Sequence, residues 1–264
     1  MKSYVNGLLI VMQFFSVIPI QKEIPITQKN LERAIRTFPL FGLSVGTFIA
    51  GIAYVMVVWT PFSPLIITLV LWIFLIFLTG GIHLDAWIDT SDAFFSYREK
   101  EKRLEIMSDP RTGAFGVISI IVLLITKFVV MYEVVLHIHL FVYVFIILIP
   151  FYTRMLMGLS LAGIPVAKNT GFAALFQLSK KPQTFYFCLG YMVPILILLS
   201  VWDISTATFA LGLFLITIGV YLYGKSKVRE AFGGVTGDVI GAMAEGAELI
   251  LWIAVLLFTY YGME

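Results

Sequence analysis

The sequence has little charge. Asp, Glu, Lys and Arg make up only 13% of its 264 residues, whereas 60% are hydrophobic, and the mean hydropathy is +0.97. An average soluble domain carries about 25% charged residues, so this chain lacks the charge to cover a water-facing surface. The composition therefore excludes a soluble globular enzyme and a disordered chain.

Cysteine is almost absent as well, because Cys188 is the only one in the sequence. A single cysteine allows neither an intrachain disulfide nor a cysteine-based metal site, which excludes a disulfide-stapled secreted module. The net charge of +2 gives no reason to expect nucleic acid as a partner. Linkers, low-complexity tracts and convincing repeats are missing too, so we expect residues 1–264 to form a single transmembrane catalytic domain.

Long hydrophobic runs dominate what is present. A spanning helix needs about 20 mostly apolar residues, and seven runs approach that length: 38–58, 64–81, 115–132, 140–158, 185–201, 207–224 and 246–261. An eighth run, 5–20, is short, carries Gln13 and has Pro19 at its end, before Ile20. We interpret it as an interfacial or re-entrant helix, with a spanning helix as the alternative. The predicted fold is an all-α, polytopic membrane protein that lies in the lipid bilayer.

The few positive charges lie on one side of this topology. With the segment before residue 38 in the cytoplasm, 17 of the 18 Lys and Arg residues fall on the cytoplasmic side, and Lys127 in the third span is the exception. Cytoplasmic loops of membrane proteins carry such an excess of Lys and Arg. The long loops, 83–114, 159–184 and 225–245, lie on the same side. We therefore expect the chemistry on the cytoplasmic face.

Three acidic residues follow the second span at helical spacing. Asp85, Asp89 and Asp92 are separated by four and three residues, which puts them on one face of a helix. Their like charges repel, and a bound divalent cation such as Mg²⁺, which prefers carboxylate oxygens, would offset that cost. A solvated helix face is the alternative. His83 lies beside this face and is either structural or a participant in the chemistry.

Two more polar segments are candidates for the same site. Asp109 precedes a Pro-Arg-Thr-Gly turn and is either a further ligand or a helix cap, while Arg111 is suited to bind a phosphate bidentately. Near the C-terminus, Asp238 would hold a second metal. A helix beginning near Thr236 would offer its N–H groups to a phosphate, and small residues would allow close approach. The residues of this segment that we expect to bind substrate are Gly233, Gly234, Thr236 and Gly237.

Charged residues inside the spans are the last candidates. Arg154, near the inner end of the fourth span, either binds substrate or snorkels to the headgroups. Lys127 is predicted to be structural, either paired with Glu133 or snorkelling outward. Glu245 would share a helix face with Asp238, seven residues before it. Taken together, the acidic and basic clusters suit metal-assisted transfer of a phosphate-containing group to an alcohol, with one Asp taking the proton.

Three motifs resemble those of the cobalamin synthase family, the adenosylcobinamide-GDP ribazoletransferases. They are GGIHLDAWIDTSD at 80–92, RLEIMSD at 103–109 and GGVTGD at 233–238, and the likeness extends to FSVIP at 15–19 and FPLFG at 38–42. The resemblance covers most of the chain in the expected order. Departures are small: Ala86 and Ala93 stand where Gly is expected, and Leu84 where some relatives carry Glu.

The resemblance implies that the chain joins adenosylcobinamide-GDP to α-ribazole, or to its 5′-phosphate, with release of GMP, in the bacterial inner membrane. It implies Mg²⁺ as cofactor, held by Asp85, Asp89 and Asp238, with Asp92 as a ligand or general base. The basic residues expected to hold phosphates are Arg111, Arg154 and Lys168. A homo-oligomer, or association with other enzymes of the pathway, stays open.

Two rival functions are weaker. A CDP-alcohol phosphotransferase also uses clustered Asp on transmembrane helices, but its Asp-Gly and Ala-Arg pairs are replaced here by Asp85-Ala86 and Ile88-Asp89. An ion-coupled transporter would hold its cation near the bilayer midplane on broken helices, whereas these carboxylates are predicted at the inner edge.

Overall fold

The computed structural model describes residues 2–179 and 181–261. These residues form twelve α-helices, with no β-strand among them. In chain order they are α1 (Lys2–Phe15), α2 (Gln28–Trp59), α3 (Pro64–Leu78), α4 (Ile82–Phe95), α5 (Lys100–Ile106), α6 (Ala114–Leu136), α7 (Leu140–Gly163), α8 (Phe172–Gln177), α9 (Pro182–Gly190), α10 (Met192–Trp202), α11 (Ile204–Phe232) and α12 (Gly237–Tyr261). Lys180, one of the positive charges predicted on the cytoplasmic side, lies outside the described residues.

The predicted spans coincide with helices. In the described part of the chain, six stretches are long and apolar enough to cross a membrane: α2, α6, α7, α9 with α10, α11 and α12. The remaining predicted span, 64–81, is α3, which passes the same test together with α4, although the pair is bent by 79°. The count is therefore six or seven, and the predicted all-α, multi-pass membrane fold is confirmed.

The bend between α3 and α4 is made by two glycines. Gly80 and Gly81 have φ values of 64° and 73°, in the left-handed region that residues with a Cβ rarely adopt. They end α3 and start α4 in a new direction. The acidic residues of α4 consequently do not continue the line of the apolar α3 helix.

The N-terminal helix is too short to span. With 14 residues, α1 is about 21 Å long, whereas the hydrocarbon core of a bilayer is about 30 Å thick. It packs against α2, and the chain after it is tied to the end of α3, where the Val17 N–H donates to the Leu78 carbonyl at 2.9 Å. These features fit the predicted interfacial or re-entrant helix better than a spanning one.

The loops predicted to share one side do meet at one end of the bundle. Lys168, after α7, donates from Nζ to the Leu104 carbonyl of α5 at 2.9 Å. A parallel β-bridge joins Val166 to Val235, just before α12. At the other end of the same loop cluster, the first turn of α6 contacts α4. The core of the molecule is formed around α7, most of whose residues are buried.

Candidate active site

Helix α4 presents two different faces. His83 and Ala86 are buried against α12, where a Cβ added to Gly241 would lie only 2.7 Å from the Ala86 Cβ. Asp85 is exposed and Asp89 is half-buried, so the acidic residues point away from that contact. The close packing of α4 on α12 therefore fixes the direction in which the carboxylates project.

Asp238 joins the carboxylates of α4 from the first turn of α12. The charges of Asp85, Asp238 and Asp92 all act on Asp89, and the charge of Asp85 acts on Asp238. We call Asp85, Asp89 and Asp238 the acidic group. The structure thus brings the four residues that the sequence suggested as metal ligands near one another, from segments about 150 residues apart, and Asp92 has a further partner outside the acidic group.

The donor set of the acidic group is of the kind that Mg²⁺ takes. Mg²⁺ is usually bound by one or two carboxylates, with waters and substrate phosphates completing about six positions. Within residues 2–179 and 181–261, however, no three His, Cys, Asp or Glu side chains form a group that could hold a metal ion. Mg²⁺ at the acidic group therefore stays a prediction.

Asp92 has a structural partner that the sequence did not reveal. Its Oδ2 accepts the Gly113 N–H at 2.6 Å and its Oδ1 accepts the Gly116 N–H at 2.8 Å. A Cβ on either glycine would come within 2.4 Å of an Asp92 oxygen, so only glycine admits this approach. Asp92 therefore fastens α4 to the first turn of α6, and its predicted role as ligand or base stays a prediction.

His83 does not join the acidic group. Its side chain is buried, its ring stacks on Phe15 at 5.7 Å, and its Nε2 has no hydrogen-bond partner among the described residues. The charges that act on it are those of Arg154, Glu248 and Lys127, inside the bundle. The predicted participation of His83 in the chemistry gains no support from this position.

A buried ion-pair cluster lies inside the bundle. It consists of Lys127 on α6, Arg154 on α7, and Glu245 and Glu248 on α12. The Lys127 Nζ lies 2.9 Å from Glu245 Oε2 and 2.8 Å from Glu248 Oε1, and the Arg154 Nη1 lies 3.5 Å from Glu248 Oε2. All four side chains are less than a tenth exposed.

The cluster corrects two predictions. Lys127 neither pairs with Glu133 nor snorkels outward, and Glu133 instead accepts the Tyr260 hydroxyl at 2.6 Å. Arg154, predicted to bind substrate or snorkel to the headgroups, has a side chain that is only 3% exposed and pairs with Glu248. This position argues against the predicted contact with a phosphate, because a buried and paired guanidinium does not face the acidic group.

Asp109 and Arg111 bind each other in an exposed turn. The Arg111 Nε and Nη2 donate to the two Asp109 oxygens at 3.0 and 2.6 Å, and the Arg111 N–H donates to Oδ1 at 3.0 Å. The guanidinium holds the pKa of Asp109 at about 2. The helix-cap alternative for Asp109 is wrong, because it is Asp92 that accepts the N–H groups at the start of α6. Arg111 is 87% exposed and accessible to a phosphate.

The glycine-rich segment before α12 packs closely against the loop that follows α7. Gly233 ends α11 with a φ of 78°, and a Cβ on Gly234 would lie 2.3 Å from the Pro165 carbonyl oxygen. The Val235 N–H donates to that carbonyl at 2.8 Å. Thr236 Oγ1 accepts the Val239 N–H at 3.1 Å, so α12 begins where the sequence predicted. Gly237 packs near the Phe172 ring.

The loop that follows α7 also contains Lys168. Its Nζ donates to Ser108 Oγ at 2.6 Å and to the Leu104 carbonyl, and its charge acts on Asp238. Lys168 is thus the predicted phosphate-binding residue that the structure brings to the acidic group. Ser108 and Leu104 could not be predicted as its partners, because both lie about 60 residues earlier in the chain.

Comparison with known proteins agrees with this arrangement. The family model described as cobalamin-5-phosphate synthase matches residues 7–256. A protein of Geobacillus sp. (strain WCH70) is 35% identical over 100% of both chains, and one of Geobacillus thermodenitrificans (strain NG80-2) is 36% identical over 97% of each. One of Clostridium botulinum (strain Langeland) is 30% identical over 97% of this chain and 100% of its own. All three are named adenosylcobinamide-GDP ribazoletransferase. No solved structure matches the chain.

Proposed function

We propose a function from the premise that the chain belongs to the cobalamin-5-phosphate synthase family: it joins adenosylcobinamide-GDP to α-ribazole, or to α-ribazole 5′-phosphate, and releases GMP. The chain is a membrane-embedded transferase of cobalamin biosynthesis. The chemical part of the proposal rests on the meeting of Asp89 and Asp238 beside Lys168. No finding favours a CDP-alcohol phosphotransferase or an ion-coupled transporter.

The transfer exchanges one P–O bond for another. A free ribose hydroxyl of the ribazole, other than the 5′-hydroxyl that is esterified in the 5′-phosphate, attacks the phosphorus that carries the cobinamide, the bond from this phosphorus to the bridging oxygen breaks, and GMP leaves with that oxygen. The hydroxyl proton passes to a carboxylate, for which we propose Asp92. Each Asp92 oxygen accepts one backbone N–H, and since a carboxylate has about four acceptor sites, capacity for the proton remains.

Asp85, Asp89 and Asp238 are the residues that would hold Mg²⁺. When bound, the ion would neutralise negative charge on the phosphate oxygens of the substrate. Lys168 would bind a phosphate next to Asp238, since it already acts on that carboxylate. Arg111 would bind a second phosphate group from its exposed turn, in exchange for Asp109.

The location follows from the charge distribution. We infer that the acidic group faces the cytoplasm from the bacterial inner membrane, because 17 of 18 basic residues fall on that side in the predicted topology. Both proposed substrates are made of water-soluble groups, which the loop end of the bundle would meet directly. A homo-oligomer and association with other enzymes of the pathway stay predictions.

The experiment incubates the purified protein with adenosylcobinamide-GDP, α-ribazole and Mg²⁺ and measures GMP by chromatography. We expect GMP release by the wild type, its loss on chelation of the metal, and at least about a hundredfold slower release by Asp89→Asn. Glu101→Gln, an exposed acidic residue of α5, is the matched control and should react normally. Absence of GMP release by the wild type would refute the proposed reaction, and near-normal release by Asp89→Asn would refute the metal assignment.

A further inference from the structure

A second polar pocket lies at the loop end of the bundle, between the first two turns of α2 and the segment after α8. Its volume is about 650 Å³, and Lys29, Glu32, Ser179 and Lys181 are among the residues that line it. None of the acidic-group residues lines this pocket. It is therefore separate from the candidate active site.

The pocket carries an excess of positive charge. Lys29, Arg33 and Lys181 line it together with one carboxylate, Glu32. Glu32 is already compensated, because its oxygens lie 2.5 Å from Arg36 Nη2 and 2.9 Å from Lys181 Nζ. Lys29 is exposed and has no ion pair or hydrogen bond to another described side chain. A bound anion would therefore meet uncompensated positive charge.

Hydrogen-bond donors without partners accompany this charge. The Ser179 side chain is only 6% exposed, yet its Oγ has no hydrogen-bond partner among the described residues. The pocket also contains the N-terminus of the 32-residue α2, where Thr27 caps the Asn30 N–H and the N–H groups of Gln28 and Lys29 are left over. Free N–H groups at a helix start, with the helix dipole, favour anions and phosphates in particular.

Two sources of phosphate fit this pocket. Lys181 directly precedes the candidate span Pro182–Trp202, which places the pocket near the membrane end of α9. Lys29 is exposed, so a dissolved ligand can also reach the pocket. A dissolved phosphate and a lipid headgroup present the same chemistry here, and the experiment separates them.

We propose that this pocket binds a phosphate group, carried by a dissolved anion or by a lipid headgroup. Lys29 supplies the free charge, the Ser179 hydroxyl donates one hydrogen bond, and the N–H groups of Gln28 and Lys29 donate the others. The site is distinct from the acidic group and does not depend on the proposed transferase activity.

The test uses the full chain in nanodiscs of zwitterionic phosphatidylcholine, with inorganic phosphate and GMP as probes. Calorimetry should detect binding, and hydrogen exchange should show that the Gln28 and Lys29 N–H groups become protected. We expect Lys29→Ala to weaken binding about tenfold, since it removes a charge-assisted bond, and Ser179→Ala about threefold. Lys22→Ala, an exposed lysine outside the pocket, should leave binding unchanged.

A variant of the candidate active site and a second lipid composition separate this pocket from the active site and a dissolved ligand from a lipid headgroup. Protection of the α2 start should persist in Asp89→Asn, which disables the candidate active site but not this pocket. Absence of protection in the wild type with every probe, or equal binding by Lys29→Ala and Lys22→Ala, would overturn the proposal. A response confined to nanodiscs that contain phosphatidic acid would support the site and identify a lipid headgroup as the source of the phosphate.

Discussion

The acidic group and the ion-pair cluster both include residues of α12, but their carboxylates differ in whether a cation is paired with them. Asp238 belongs to the first, and Glu245 and Glu248 lie two to three turns further along in the second. Each glutamate faces a cation, Lys127 or Arg154, at 2.8 to 3.5 Å. In the acidic group the carboxylates act on one another, and Lys168 is the cation that acts on Asp238.

This difference distinguishes charges that stabilise the fold from charges that we expect to take part in the reaction. A charge inside a membrane protein is stable only if it is paired, so the cluster holds α6, α7 and α12 together. Like charges that stay together without enough cations are costly, and they are expected where a cation or a substrate compensates them. The comparison predicts that the cluster affects stability and that the acidic group affects chemistry.

The largest effect should come from breaking the cluster. Glu248→Ala removes the partner of Arg154 and one of the two partners of Lys127, and it should lower the free energy of unfolding by about 3–5 kcal/mol. Thermal unfolding in detergent measures this change. Glu230→Ala breaks an exposed ion pair with Lys227 and should change stability little. Equal effects of the two variants would contradict the structural role of the cluster.

Asp238→Asn, unlike Glu248→Ala, should lower activity and leave stability almost unchanged. It removes one carboxylate of the acidic group, so we expect turnover to fall at least about a hundredfold and Mg²⁺ binding to weaken, with the melting temperature almost unchanged. GMP release and calorimetric titration with Mg²⁺ are the measurements, and Glu101→Gln is again the control. Loss of folding with unaltered metal binding would place Asp238 among the structural charges.

Asp92 lies between the two regions and should show both effects. Asp92→Ala deletes the acceptors of the Gly113 and Gly116 N–H groups, so stability should fall by about 1–2 kcal/mol, as for the loss of a helix cap. Asp92→Asn keeps one acceptor oxygen and should recover part of that stability without recovering turnover. Ser96→Ala, at the residue that follows the end of α4, is the stability control. Full turnover by Asp92→Asn would exclude Asp92 as the proton acceptor.

The smallest effect on stability is expected at the exposed Asp109–Arg111 pair. The depressed pKa of Asp109, about 2 instead of 3.8, means that the pair contributes above pH 3.8 and loses its contribution only as the pH falls towards 2. Because the pair is exposed and stays charged throughout this range, Arg111→Ala should lower the melting temperature only slightly, and by the same small amount at every pH between 5 and 8. If Arg111 binds phosphate as proposed, the variant raises KM for adenosylcobinamide-GDP, and an unchanged KM would remove it from the site.

Much of this architecture was predictable because it rests on local properties. Apolar runs of spanning length identify the membrane helices, and a spacing of four residues puts Asp85 and Asp89 on one face whatever surrounds them. The charge distribution also predicted that three loops share one side. The bend at Gly80 and Gly81, in contrast, depends on a backbone conformation that glycine permits but does not require.

The sequence by itself determined the membrane class, the positions of the spans and the candidate acidic residues. Only the tertiary structure decided which charges are compensated. Lys127 is paired with Glu245 from 118 residues away, and Asp92 is turned from the acidic face to the start of α6 by contacts 21 and 24 residues along the chain. Helical periodicity gives the direction of a side chain around its own axis, but the partner depends on which helix faces pack together.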